Sequence, residues 1–172
     1  MKKTAGYLEI KTEHLLLRTP LIADAAAVWD FGEGEFKSKR DAKKWIRGVH
    51  KNSKGRRKCY MYYIWLAQTE QCIGRVYLYN KPEIDYELEI AYGIKEEHRR
   101  NGYTTEAAQA LVRFAFGQAG QEMLVAIVKP DNIPSQRVIA KLGFTRCGTR
   151  MVLCDDGVNC ELDYFRLYRQ NY

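Results

Sequence analysis

Residues 86–107 read YELEIAYGIKEEHRRNGYTTEA and join a pattern typical of a β-strand to one typical of an α-helix. Residues 86–94 alternate apolar side chains with polar or small ones, which is the two-residue period of a strand. A helix is predicted to begin near Thr104 and to run to about residue 116. Two arginines and Gly102 lie just before it. Because acidic residues are normally favoured at a helix start, this excess of positive charge indicates a binding site.

The chemistry of this junction favours a ligand that carries phosphate. A helix start has backbone N–H groups without partners inside the helix and a partial positive charge, so it can bind a phosphate. Gly102 lets the backbone approach such an anion without a Cβ atom in the way. The residues leave one alternative open, a β–α turn that needs glycine for its geometry and carries solvated arginines. Neither G-x-x-x-x-G-K-[ST] nor G-x-G-x-x-G after a strand occurs.

Length and composition predict one domain over residues 1–172. The chain has 172 residues, of which 46% are hydrophobic, enough for one buried core. It contains no run of eighteen apolar residues and no signal-peptide pattern, which predicts a soluble, cytoplasmic protein without membrane association. The five cysteines form no C-x-x-C pair and the three histidines are scattered, which argues against a disulfide framework and against a metal site.

Positive charge is concentrated in residues 37–58. This segment holds eleven lysines or arginines against the single acid Asp41, a net charge of +10, whereas the whole chain carries +7 and the remainder therefore −3. A solvated helix face and loop is one explanation of such a run. The other is a surface that attracts an acidic partner.

Hydrophobic periodicity outside residues 86–107 predicts an alternation of strands and helices. The predicted elements are a strand at 14–20, helices at 22–31 and 41–50, strands at 59–68 and 71–80 that pair antiparallel with 86–94, a strand at 122–129, a helix at about 133–141 and two strands around the turn 155–158. The resulting order, β-α-α-β-β-β-α-β-α-β-β, predicts an α/β fold.

Several stretches resemble one enzyme family. The pattern Arg99-x-x-Gly102-Tyr103-x-Thr105-Glu106-Ala107 resembles the acetyl-CoA pyrophosphate loop of the GCN5-related N-acetyltransferases, or GNAT family. Together with VKPDNIPSQRVIAKLGF at 128–144, residues 86–107 are similar to the branch that contains the ribosomal-protein N-terminal acetyltransferases of RimJ/RimL type. The stretch HLLLRTPLIADA at 14–25 also resembles that branch.

The resemblance implies a single-domain α/β acetyltransferase fold, with a mixed, splayed sheet and helices on both faces. It implies transfer of an acetyl group from acetyl-CoA to a primary amine by direct attack in a ternary complex, without a metal. A protein N-terminal α-amine is favoured over lysine, because its pKa is about 8 rather than about 10.4. The acceptor could belong to an acidic or RNA-associated protein, and a small-molecule amine stays open, as does the choice between monomer and homodimer. The alternative is a non-catalytic acyl-CoA-binding or ribosome-associated module of the same fold.

The resemblance also assigns candidate site residues. Glu89 matches the glutamate that the family places beside the acceptor amine, and it is the candidate base, acting through water. Ser135 is the candidate acid near the sulfur. Glu89 could instead be an exposed strand carboxylate paired with a basic neighbour, Glu87 is the other candidate base, and Asn132 and Ser135 could be ordinary helix caps. The candidate cofactor-binding residues are Tyr92, Ile94, Arg99, Arg100, Asn101, Gly102, Tyr103, Thr104 and Asn132.

Three positions depart from the family pattern. Arg100 stands where the RimJ/RimL branch usually has glycine, and Thr104 stands where the broad pattern has glycine or alanine. Both changes bear on the affinity for the cofactor. Ala140 lies in the helix where many members carry a tyrosine.

Overall fold

A computed structural model describes residues 9–32, 36–52, 59–153 and 157–172. The strands in these ranges are β1 (Glu9–Lys11), β2 (Leu15–Arg18), β3 (Cys59–Leu66), β4 (Cys72–Lys81), β5 (Glu87–Ile94), β6 (Met123–Val128), β7 (Thr145–Leu153) and β8 (Asn159–Tyr168). The α-helices are α1 (Ala25–Phe31), α2 (Lys39–Asn52), α3 (Tyr103–Gly117) and α4 (Ile133–Lys141).

The strands form one mixed sheet in the order β1-β2-β3-β4-β5-β6-β8-β7. All neighbours run antiparallel except β5 and β6, which run parallel. Strand β5 pairs with β4 along its whole length, whereas it pairs with β6 only at Glu89 and Val125. The two parallel strands therefore diverge beyond that pair and leave a gap in the middle of the sheet. This confirms the predicted mixed, splayed sheet.

Helices cover both faces of the sheet, as predicted. Helix α3 buries Leu111 and Phe114 in a cluster that includes Leu88 and Ile90 of β5, and α4 joins the same cluster through Ile139. Helices α1 and α2 pack on the opposite face in a second cluster of buried residues, namely Ala25, Val28, Ala42, Ile46, Tyr63, Trp65 and Cys72. The sheet thus separates a face covered by α3 and α4 from a face covered by α1 and α2.

The eleven predicted elements occur in the predicted order, and the sequence analysis missed one strand. Strand β1 is only three residues long and pairs with β2, so it contains too few residues for a two-residue period to be recognised. The helix predicted at 22–31 begins as a 3-10 turn over Ile22–Asp24 and is α-helical from Ala25. Most of the turn predicted at 155–158 lies outside the described residues.

Within the described ranges, no helix is both long enough and apolar enough to cross a membrane. The cytoplasmic location and the extent of the domain over residues 1–172 stay predictions.

Candidate active site

A groove of about 760 Å³ lies between the end of β5, the start of α3 and α4. It is next to the gap between β5 and β6. Nine of the candidate catalytic and cofactor-binding residues line it, namely Tyr92, Ile94, Arg99, Arg100, Gly102, Tyr103, Thr104, Asn132 and Ser135. Asn101 is not among the residues that line the groove, and its side-chain amide donates to the backbone carbonyls of His98 and Arg99 at 3.3 and 3.2 Å. These bonds stabilise the turn before α3.

The start of α3 has the geometry of an anion-binding helix terminus. Gly102 precedes the helix with φ of +82°, a conformation that residues with a side chain rarely adopt. A Cβ atom at this position would meet no protein atom within 4 Å, so the backbone here borders open space in the groove. No side chain caps the helix start, and its first N–H groups are therefore available to a ligand.

Arg100 also has a left-handed backbone, with φ of +65°. For a residue with a side chain, this conformation costs about 1–2 kcal/mol. Arginine in place of the family's usual glycine therefore adds backbone strain as well as positive charge. Because the Arg100 side chain is exposed, its charge lies in solvent at the groove.

The side chains that line the groove are positively charged or neutral. The cations Arg99 and Arg100 come from the loop, and Arg137 and Lys141 come from α4. None of the described lining residues is acidic. The sequence analysis missed Arg137 and Lys141. Their spacing of four residues places them on one face of α4, but only the packing of α4 beside α3 brings that face to the groove.

Glu106, in the first turn of α3, points away from the groove and anchors the helix. Its two oxygens contact the backbone N–H and the ring Nδ1 of His14 at 2.9 and 3.0 Å. Burial alone would raise the pKa of Glu106, but hydrogen bonds from Thr12 and His14 outweigh burial and lower it. Glu106 therefore ties the start of α3 to the start of β2 as a carboxylate.

Asn132 and Ser135 meet at the start of α4. The Oδ1 atom of Asn132 accepts a hydrogen bond from the Ser135 backbone N–H at 3.2 Å, so Asn132 is the helix cap that the residue pattern allowed. The hydroxyl groups of Ser135 and Tyr92 are 2.9 Å apart. This second contact joins α4 to β5 across the groove.

Glu89 lies at the one residue pair where β5 meets β6. It is only 5% exposed, so the alternative of an exposed carboxylate is wrong, although a basic neighbour is present. Lys81 Nζ lies 3.7 Å from Glu89 Oε2 and donates to the Tyr79 hydroxyl at 3.0 Å. Burial raises the pKa of Glu89, against the opposing effects of the Tyr79 hydroxyl and the Lys81 charge. A raised pKa makes a carboxylate a better proton acceptor.

Glu87, the other candidate base, is held by two donors. The Arg166 guanidinium donates to its Oε1 at 3.0 Å, and the Tyr164 hydroxyl donates to its Oε2. Both oxygens are therefore engaged, in contrast to Glu89, whose Oε2 is buried and lacks a hydrogen-bond partner. This difference favours Glu89 as the proton acceptor.

The alternation of side chains along β5 places the groove residues Tyr92 and Ile94 on one face of the sheet and the candidate base Glu89 on the other. Tyr92 and Ile94 face α3 and pack against its cluster. Gly93 faces the other side, where a Cβ atom would come within 3.5 Å of the Phe31 ring of α1. Glu89 shares that side with Gly93. A ligand in the groove and a second molecule on the α1 face could therefore meet at the gap in the sheet.

Among the described residues, no group of three or more His, Cys, Asp or Glu side chains could hold a metal ion.

Comparison with known proteins identifies the family. A sequence model of the acetyltransferase (GNAT) domain matches residues 11–145. The uncharacterized N-acetyltransferase YnaD of Bacillus subtilis is 30% identical over 152 residues, which cover 82% of this chain and 85% of YnaD.

Two solved structures share the fold. The ribosomal-protein-S5-alanine acetyltransferase from Vibrio fischeri has a TM-score of 0.81 at 15% identity, over 96% of this chain and 98% of that one. RimL, a ribosomal L7/L12 α-N-protein acetyltransferase in complex with coenzyme A, has a TM-score of 0.79 at 17% identity, over 94% of this chain and 98% of that one. Because the family model also matches most of the chain, this protein is an N-acetyltransferase that belongs to the GNAT family.

Proposed function

We propose that this protein transfers the acetyl group of acetyl-CoA to the N-terminal α-amine of a protein or peptide, as an enzyme of RimJ/RimL type. The observation that carries the proposal is the groove, which borders a positively charged, uncapped helix start and the end of β5, the strand that carries the buried Glu89 on its other face. The groove suits a ligand with phosphate at one end and a reactive group at the other.

The lining residues fit coenzyme A by their chemistry. The N–H groups at the start of α3 and the backbone at Gly102 would hold the pyrophosphate. Arg99, Arg100, Arg137 and Lys141 would supply the opposing positive charge. The remaining predicted residues, which are Tyr92, Ile94, Tyr103, Thr104 and Asn132, would contact the rest of the cofactor.

Glu89 and Ser135 would carry the chemistry. An amine must lose a proton before it attacks a thioester, and Glu89 would accept that proton through a water molecule. Ser135 would place a hydroxyl beside the departing thiolate, which needs a proton to leave readily. The amine would attack directly, because this arrangement needs no enzyme nucleophile.

The choice of a protein acceptor rests on the similar structures and on charge. The two solved structures are named for the acetylation of ribosomal proteins. In this chain, α2 buries Ala42 and Ile46 and exposes cations on its other side. Together with Lys37, which precedes the helix, they form a basic face, defined as Lys37, Lys39, Arg40, Lys43, Lys44 and Arg47. Within the described residues, no cation of the basic face forms an ion pair with a carboxylate. Asp41, the acid beside them, is hydrogen-bonded to Ser38 at 2.9 Å.

Exposed cations attract anionic partners, so the basic face would draw in acidic peptides or proteins bound to RNA. It would repel polycationic amines. The long-range part of this attraction is screened by salt, since the Debye length falls from about 10 Å at 0.1 M to about 3 Å at 1 M.

An acceptor screen tests the proposal. Release of CoA is measured with acetyl-CoA and three acceptor classes, which are acidic peptides with a free N-terminus, N-terminally blocked peptides with one lysine, and small amines that include spermine. We expect the highest kcat/KM for the acidic peptides. A preference for spermine over every peptide would refute the acceptor, and tight acetyl-CoA binding without any turnover would favour the non-catalytic module.

A further inference from the structure

The contact between Tyr92 and Ser135 joins two hydroxyl groups at the groove. The Tyr92 hydroxyl lies 2.9 Å from Ser135 Oγ and 3.2 Å from the Ser135 carbonyl oxygen. Both residues line the groove. A sulfur atom that reaches Ser135 Oγ would therefore also lie beside the Tyr92 hydroxyl.

The two hydroxyl groups differ as acids. A phenol has an unperturbed pKa of about 10, whereas the aliphatic hydroxyl of serine does not titrate in the range accessible to proteins. Burial raises the pKa of Tyr92 to about 12, against a smaller lowering by its hydrogen bond with Ser135. The phenol therefore stays protonated at neutral pH and remains the stronger acid of the pair.

Once Tyr92 has donated its proton, Ser135 and the start of α4 would stabilise the Tyr92 phenolate. Ser135 lies in the first turn of α4, where the helix dipole favours negative charge. Its hydroxyl can donate to the Tyr92 oxygen over the 2.9 Å contact. In the arrangement seen here, the Tyr92 hydroxyl can donate to the Ser135 carbonyl oxygen at 3.2 Å, which is long for an O–H···O bond, and this bond is exchanged when the proton turns to a sulfur.

We propose that Tyr92, in place of Ser135, is the catalytic acid of the transfer and that Ser135 is its positioning residue, an inference that rests on the proposed acetyl transfer from acetyl-CoA. As the amine nitrogen bonds to the acetyl carbon, the carbon–sulfur bond breaks and its electron pair passes to sulfur. The phenolic proton of Tyr92 moves to that sulfur, and Ser135 donates to the phenolate. Solvent then returns a proton to Tyr92, while the proton of the amine leaves on the Glu89 side.

Three variants separate this assignment from a structural role. Tyr92→Phe removes the acid, Ser135→Ala removes its support, and Tyr62→Phe is the matched control. Tyr62 is 1% exposed, its hydroxyl has no hydrogen-bond partner, and its ring packs against Phe114 rather than the groove. We expect Tyr92→Phe to lower kcat roughly 100-fold or more with little change in the KM for acetyl-CoA. Ser135→Ala should cost less, and Tyr62→Phe should keep the wild-type rate.

The reverse order of effects, with Ser135→Ala more damaging than Tyr92→Phe, would show that Ser135 is the acid and overturn the inference. A Tyr92→Phe protein that binds acetyl-CoA and turns over at the wild-type rate would do the same.

A second measurement needs no acceptor. The pKa of the thiol of bound CoA is measured from the ultraviolet absorbance of its thiolate, as a difference spectrum against the free protein. A donor beside the sulfur stabilises the thiolate, so we expect a lower thiol pKa in the wild-type and Tyr62→Phe complexes than in the Tyr92→Phe complex. Equal values in the three complexes would overturn the inference, whereas a protein that does not bind CoA would refute the proposed function itself.

Discussion

Replacement of Gly102 by valine tests whether the start of α3 binds the pyrophosphate of acetyl-CoA. Within the protein, the new side chain meets no atom within 4 Å at its Cβ position, so steric clash in the free protein contributes little. The left-handed φ of +82° adds a backbone strain of about 1–2 kcal/mol. The larger effect should fall on the ligand, because the side chain projects towards the space where an anion would approach the N–H groups.

The expected loss of affinity follows from those hydrogen bonds. A hydrogen bond to a charged group contributes about 1.5–3 kcal/mol. Loss of two of them would weaken binding by about 3–6 kcal/mol, or about 10²- to 10⁴-fold in Kd. Gly120→Val is the matched control, since Gly120 also has a positive φ, of +63°, and open space at its Cβ, but follows α3 and does not line the groove.

The assay combines calorimetric titration of acetyl-CoA with thermal unfolding of both variants. Similar losses of Tm are expected, because both variants carry the same kind of backbone strain. Only Gly102→Val should lose affinity. If folded Gly102→Val binds acetyl-CoA as tightly as Gly120→Val, the pyrophosphate does not approach this backbone, and its proposed place at Gly102 and the start of α3 is wrong.

Other predictions concern the base, the loop and the basic face. Glu89→Gln should lower kcat at pH 7 by roughly two to four orders of magnitude, with a smaller loss at high pH where the amine deprotonates unaided. Because burial raises the pKa of Glu89, its protonated side chain stabilises the fold below the unfolded pKa of about 4.3, and this stabilisation is lost as pH rises through the pKa of the folded protein. Glu89→Gln should therefore have the higher Tm at pH 7 and lose that advantage in acid. Arg100→Gly should relieve the strain at φ +65° and keep acetyl-CoA binding within about tenfold, since an exposed charge is screened; a complete loss of binding in calorimetry would contradict this. Replacement of Lys43, Lys44 and Arg47 by glutamate should abolish the salt dependence of kcat/KM for an acidic peptide, and an unchanged salt dependence would remove the basic face from acceptor recognition.

The segment from β5 through Gly102 to the start of α3 could be predicted from sequence because the residues that specify it are contiguous. The strand period in β5, Gly102 and the helix start of α3 are contiguous in the chain, so one stretch specifies a strand, a turn with positive φ and a helix terminus. Asn132 was likewise recognised from its position before Pro134 and Ser135, a pattern typical of a helix start.

Contacts between distant elements could not be predicted in the same way. The pairing of Tyr92 with Ser135 depends on how α4 packs beside β5, and the approach of Lys81 to Glu89 depends on the register of β4 against β5. Periodicity predicts which face a residue occupies, but it gives neither register nor the point at which two strands diverge. For the same reason the burial of Glu89 was not predicted.

The central claim is that the protein acetylates an N-terminal α-amine with acetyl-CoA. Its most direct test is mass spectrometry of two acidic peptides of matched sequence after incubation with protein and acetyl-CoA. One peptide has a free N-terminus and no lysine, and the other has a blocked N-terminus and one lysine. We expect one acetyl group on the α-amine of the first peptide and much slower modification of the second. Acetylation of the lysine peptide alone, or of neither peptide by a protein that binds acetyl-CoA, would contradict it.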